Sequence, residues 1–336
     1  MADDVLLVLA IDRSRVQAER SILTDEQKDA LSRHVEQVRS GRIPRNTMEA
    51  NVQPVAEAML PPTTRAFIAS TKRLIFSPHR SLHLTPLHAA RFDGRFLIEQ
   101  ASVRYAPNLG SLLLPWRGAE TGAVVSVGIN TFGRGLPPLK SAEVEAQAIA
   151  AAWAAQGVAA TTLIGEQATR GAFTGLDLAA CRCLHLVTHG ESVYATALQG
   201  DPFASRLCFA DGDFEALSLA ELPFRADLVV MSACHSGQRA LALPGGSELP
   251  GDDLFGLQAT LFQAGVRSVI GALWTVDDAS AGKILPELHR RLAGGARPEQ
   301  ALQLAVCAYL QAPETKKAIY YWAPPFMSSM GRMRDA

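Results

Sequence analysis

The chain has 336 residues, 48% of them hydrophobic and 19% charged, which excludes a disordered polymer and provides for one large core or two moderate ones. Its formal net charge of -1, with no long single-sign run, excludes a sequence-wide basic field and argues against direct nucleic-acid binding. Five cysteines, an odd number, do not make a disulfide framework, so reduced thiols and a cytoplasmic location are expected.

At the N-terminus, "VLLVLAI" is too short to span a bilayer and follows Asp3 and Asp4 rather than basic residues, so no membrane partner is expected. "VLLVLAID" and "RVQAERSI" predict a hairpin turning at Asp12 to Ser14. A helix follows from about Thr24, where Thr24 and Gln27 have the spacing of a capping box. Next come a helix over 49–60, a strand in "KRLIFSP" ended by Pro78, and short strands in "RFLIEQ" and "SVRYAP".

From "GAVVSVGIN" onward strands and helices alternate. Strands are predicted at 123–129, "ATTLIG", "CLHLVT", "DLVVMSA" and "VRSVIGALW". Helices are predicted at 141–156, from 169, at 252–264, at 278–292 and from 298, with a last strand in "YYWAPPFM". Continuous apolar strands of this kind belong to a sheet covered on both faces, so the fold class is α/β. The Gly/Pro-rich "LALPGGSELPGDD" reads either as a mobile element near the site or as a surface loop.

Two apolar runs end on reactive side chains: "LHLVTHGE" reaches His189 and "DLVVMSACHSG" reaches Cys234. Sites in α/β sheets form outside the carboxyl ends of strands. A thiolate attacks a carbonyl, and an imidazole stabilises the thiolate or protonates the leaving amine. Gly190 leaves room for substrate, and its amide could join that of Cys234 in holding an oxyanion. Either residue alone also fits a structural role, since thiols pack as small hydrophobes. The pair, histidine first and cysteine some 45 positions later, has the order of caspase-like proteases.

Other signals are weaker. Gly128 and Gly133 in "GINTFGRG" are spaced like a phosphate loop, but Arg134 and Gly135 stand where Lys and Ser or Thr are needed. Cys181, Cys183 and His185 in "CRCLH" alternate onto one strand face, which suggests core packing more than a metal site, for want of a fourth ligand. His235 gets no catalytic role, and Ser236 lacks the glycine of a nucleophile elbow.

The chain resembles the CHAT family, caspase-like peptidases related to caspases and separases and often joined to tetratricopeptide repeats. The resemblance spans nearly the whole sequence. It rests on "SPHRSLHLTPLHAARFDGRFLIEQASVRYAPNLGSL", "LPPLKSAEVEAQAI", "LHLVTHGE", "VVMSACHSG", "FQAGVRSVIGALWTVDDASA" and "YYWAPPFM".

The resemblance implies a caspase-like sheet with helices on both faces in residues 116–336, preceded by a smaller non-catalytic half in residues 1–115. It also implies a cysteine endopeptidase with His189 and Cys234 as the dyad, no metal and no cofactor. In "LWTVDD", Asp278, with Asp277 beside it, matches the acidic S1 residue of separase-like relatives and would favour Arg or Lys before the scissile bond. An Asp there also serves as an ordinary helix N-cap. A protein substrate, latency until an activating or sensing protein in another chain arrives, and a role in bacterial defence or programmed death follow from the same resemblance. A catalytically silent scaffold that binds a protein partner is the alternative.

Overall fold

The computed structural model describes residues 5–115, 118, 121–132, 135–191, 205–233 and 256–331. The opening hairpin pairs β1 (Val5–Ile11) with β2 (Val16–Ile22). Asp12 Oδ1 closes its turn by accepting from the amides of Ser14 and Arg15. In α1 (Asp25–Ser40) the predicted capping box is present. Thr24 Oγ1 accepts from the Gln27 amide, and Gln27 Oε1 accepts from that of Thr24. Helices α2 (Met48–Met59) and α3 (Pro62–Ile68) lead to β3 (Arg73–Phe76).

"RFLIEQ" is not a continuous strand. The two-residue strands β4 (Arg91–Phe92) and β5 (Arg95–Phe96) form a tight hairpin, and the chain then coils into one turn, α4 (Leu97–Gln100). Glu99 causes the change, because its carboxylate accepts from the Phe96 amide at 2.8 Å and closes the turn. Strand β6 (Ser102–Tyr105) follows.

The alternating region runs β7 (Ala123–Gly128), α5 (Ala142–Ala154), β8 (Ala160–Ile164), α6 (Arg170–Thr174) and β9 (Cys181–Val187). Short strands β10 (Gly190–Glu191), β11 (Arg206–Phe209) and β12 (Gly212–Glu215) form a small antiparallel sheet that the sequence reading did not foresee. Beyond it come α7 (Ala216–Ala220), β13 (Leu228–Ser232), α8 (Leu257–Gln263), β14 (Ser268–Ala272), α9 (Asp278–Ala293) and α10 (Pro298–Gln311). "YYWAPPFM" divides into a helical turn, α11 (Ile319–Trp322), and β15 (Pro325–Ser329).

The eight main strands form one sheet in the order β3-β6-β15-β14-β13-β9-β7-β8, parallel except where β14 meets β15. Successive side chains of β13 divide between its faces. Leu228 and Val230 pack with Trp153 of α5, Leu285 of α9 and Ala305 of α10, whereas Val229 and Met231 pack with Phe173 of α6, Leu219 of α7 and Leu261 of α8. Both faces are covered, as the continuous apolar strands required. Strand β15 also joins β3 and β6, from the first part of the chain, to the rest of the sheet through Ser328 and Tyr105.

One sequence expectation changes here. Cys181 and Cys183 lie in cores on opposite faces, because the β7–β9 ladder shifts register at Ala123/Val124, where successive β7 residues face Cys181 and Cys183. An irregularity in the ladder breaks the alternation on which the single-face reading relied. Among the described residues no group of three or more His, Cys, Asp or Glu side chains could hold a metal ion. Gly128 has a packing reason: an added Cβ would stand 2.4 Å from the Ala142 carbonyl oxygen at the start of α5. Gly133 and Arg134 lie outside the described residues. Among those described, no helix is long and apolar enough to cross a membrane.

Buried histidines make this fold sensitive to acid. His88 packs between Tyr105 and Trp322, with Nδ1 3.0 Å from the Tyr105 hydroxyl and Nε2 3.0 Å from the Ala323 carbonyl. Burial, opposed by the Ala323 bond, lowers its pKa from 6.5 to about 4. Between those values the unfolded chain binds a proton that the folded chain does not, so stability falls as pH falls. The loss begins near 6.5, is complete near 4 and amounts to about 3 kcal/mol from this group. Urea unfolding at pH 7 and pH 4.5 measures it, and His88→Gln is expected to flatten the pH slope over that window.

Candidate active site

Strands β9 and β13 run parallel, with Val187 opposite Ser232, and the Thr188 amide continues the ladder to the Ser232 carbonyl at 3.4 Å. Both therefore end at the same level of the carboxyl edge. His189 is two residues beyond the end of β9. Cys234 is two residues beyond the end of β13 and lies outside the described residues, as do His235, Ser236 and the "LALPGGSELPGDD" segment.

Three contacts fix His189. The Cys208 amide donates to its carbonyl at 3.0 Å, its ring lies 4.7 Å from that of Phe132, and its Nε2 is 2.8 Å from the Pro137 carbonyl oxygen. A carbonyl can only accept, so Nε2 carries the proton in the neutral ring and Nδ1 keeps the lone pair. Just before it, the Thr188 hydroxyl donates to the Cys208 carbonyl and ties the strand end to β11.

Gly190 comes next, paired with Leu207. The Cys208–His189 bond makes the preceding pair the hydrogen-bonded one. The Gly190/Leu207 pair is then the non-hydrogen-bonded kind, whose amides point away from the partner strand.

A small cleft at this edge is lined by Leu139, Ser141, Glu145, His189, Ser232 and Asp278. The two adjacent aspartates have separate roles. Asp277 is the N-cap of α9: its Oδ2 accepts from the Ser280 amide at 3.1 Å and hydroxyl at 2.9 Å, while Oδ1 pairs with Lys316 at 3.2 Å. Burial acts to raise its carboxyl, but Ser280 and Lys316 together hold it below the ordinary carboxylate value. Asp278, the first residue of the helix, is left facing the cleft. Burial, then the charges of Glu145 and Asp277, raise its carboxyl, with His189 opposing.

The sequence reading did not single out Glu145, which is buried on α5. A hydrogen-bonded chain through the core holds it. The Trp153 indole nitrogen is 3.0 Å from His289 Nδ1, His289 Nε2 is 3.1 Å from His185 Nδ1, and His185 Nε2 is 2.9 Å from Glu145 Oε1. Indole can only donate, so His289 accepts at Nδ1 and donates from Nε2, and His185 likewise accepts at Nδ1 and donates to Glu145. Burial, then His185, lowers the His289 pKa well below the ordinary value. The one advance signal was the place of Glu145 in the block "LPPLKSAEVEAQAI".

An eight-stranded, mostly parallel sheet with helices on both faces is the α/β class that the caspase-like resemblance implied. The CHAT domain profile matches residues 49–331, and the chain belongs to that family. Among curated proteins none matches the sequence.

Among solved structures, the chain is similar to the Arg-specific cysteine proteinase gingipain R at 8% identity and a TM-score of 0.42, covering 63% of this chain and 49% of that one. It thus spans about half the gingipain R chain. It is also similar to separase in the Saccharomyces cerevisiae separase–securin complex, at 15% identity and a TM-score of 0.49 over 77% of this chain and 16% of that one. A third likeness is to the complex of Porphyromonas gingivalis RgpB pro- and mature domains, at 9% identity and a TM-score of 0.48 over 92% and 77%. All three are distant in sequence and in superposition.

Proposed function

We propose that the chain is a cysteine endopeptidase in which Cys234 is the nucleophile and His189 the general acid and base. The reading rests above all on the described end of β9: His189 stands beyond that strand with Nε2 bonded to Pro137, leaving the Nδ1 lone pair to take a thiol proton, beside the strand that leads to Cys234.

In the proposed reaction the Cys234 thiol gives its proton to His189 Nδ1, and the thiolate attacks the peptide carbonyl. The oxyanion is held by the amides of Gly190 and Cys234. Collapse breaks the C–N bond, the imidazolium returns its proton to the leaving amine, and a thioester remains. Water then gives a proton to His189 and attacks the thioester, which releases the acid and the thiol.

The substrate is proposed to be a protein partner, with an activating protein in another chain relieving latency and residues 1–115 serving as a non-catalytic half. Of the two aspartates, Asp278 suits S1 better, because Ser280 and Lys316 engage Asp277. A mixed peptide library, read for new termini by mass spectrometry, tests both statements. Cleavage by the wild type is expected to cluster after Arg and Lys. Asp278→Asn is expected to reduce kcat/KM for such sites by about tenfold or more, the scale of a lost charge-assisted pair. Clustering after other residues would remove Asp278 from S1, and equal cleavage by Cys234→Ala would overturn the mechanism.

A further inference from the structure

At the opposite edge, where β9, β13 and β14 begin and β6 and β15 end, a cavity of about 180 Å³ lies between the sheet and the turn from α9 to α10. Five arginines line it: Arg73, Arg104, Arg182, Arg267 and Arg297. Two carboxylates, Asp227 and Glu299, share the lining. Glu299 Oε1 lies 3.3 Å from Arg73 Nη2 and 3.5 Å from Arg297 Nε, and Asp227 Oδ1 lies 3.3 Å from Arg267 Nη1. The guanidinium of Arg182 lies 5.1 Å from the centre of the Trp153 ring.

Arg104 is the informative member. It is 4% exposed, and Nη1 donates to the Ser329 hydroxyl at 2.5 Å. Its Nε and Nη2 have no hydrogen-bond partner among the described residues. A surface arginine satisfies such groups with water, but one this buried cannot do so freely. Burial, with Glu299 opposing and Arg267 and Arg73 adding like charge, brings its pKa down to about 10.

We propose that this cavity binds a small polyvalent phosphate anion of the pyrophosphate class. Planar guanidinium groups donate in pairs to phosphate oxygens, and five of them facing two carboxylates leave an excess of three positive charges. One water needs about 10–15 Å³ on this measure, so the cavity has room for a multi-atom anion. The site lies across the sheet from the cleft: β9 carries Arg182 near its start and leads to His189 beyond its end.

Titration calorimetry of the full chain with inorganic pyrophosphate, orthophosphate and sulfate at one fixed low ionic strength tests the proposal. Pyrophosphate is expected to bind one saturable site, at least about tenfold more tightly than sulfate. Arg104→Gln is expected to abolish binding. The double variant Arg182→Ala with Arg297→Ala, which alters partly exposed residues, is expected to weaken binding about tenfold or more and decides the matter if Arg104→Gln does not fold. Absence of saturable binding at millimolar pyrophosphate would overturn the site, as would wild-type affinity in the folded variants or equal affinity for sulfate.

Discussion

Alanine at Cys234 is expected to lower peptide cleavage by roughly a thousandfold or more and to leave the melting temperature within a degree or two of wild type. The large effect follows from chemistry, because without the thiol no thioester forms and the two-step route is closed. The small effect follows from position. The strand before Cys234 is held by Leu228 to Ser232 through ladders to β9 and β14, none of which uses the thiol. His189→Ala is expected to lower cleavage by about 10²–10⁴-fold, the general acid–base contribution, while the remaining thiol retains some nucleophilicity without its base. Initial rates on one library-derived peptide, with circular dichroism melts in parallel, measure both. A Cys234→Ala rate within tenfold of wild type would require a different nucleophile.

His289→Ala is expected to cost roughly 3–5 kcal/mol of stability, the largest loss anticipated for a single residue outside the reaction itself. The substitution opens a void in a fully buried site and strands two polar groups, the Trp153 indole N–H and His185 Nδ1. It also frees the His185 ring that holds Glu145 at the cleft. Urea unfolding at pH 7.5 reads the cost as a lower midpoint at an unchanged slope. His289→Gln, which can still donate and accept, is expected to recover part of it. A loss below about 1 kcal/mol would mean that water replaces the ring and the chain has no structural weight.

The sequence by itself determined the α/β class and the placement of the histidine. Continuous apolar runs at 123–129, 184–187 and 228–232 have no solvent-facing side, so they require a sheet covered on both faces. The run that ends at His189 marked where β9 would stop, and Thr24 with Gln27 marked the start of α1 by local hydrogen bonding alone. Such features depend on neighbours within a few residues, which is why they can be read from the chain.

The structure alone decided what the apolar pattern does not encode, through contacts both local and distant in sequence. "RFLIEQ" reads as a strand by composition, but Glu99 closing onto the Phe96 amide made it a turn. Cys181 changed face because of a ladder shift set by β7. Either aspartate of "VDD" could cap α9 by residue type, and the positions of Ser280 and Lys316 selected Asp277, leaving Asp278 to the cleft. Glu145 reached the cleft through His185 and His289, which lie 40 and 144 positions further along the chain. The arginines at 73, 104, 182, 267 and 297 are scattered as single surface-type residues in the sequence, and only the pairing of the sheet, which sets the starts of β9, β13 and β14 beside the ends of β6 and β15, gathers their charge around one cavity.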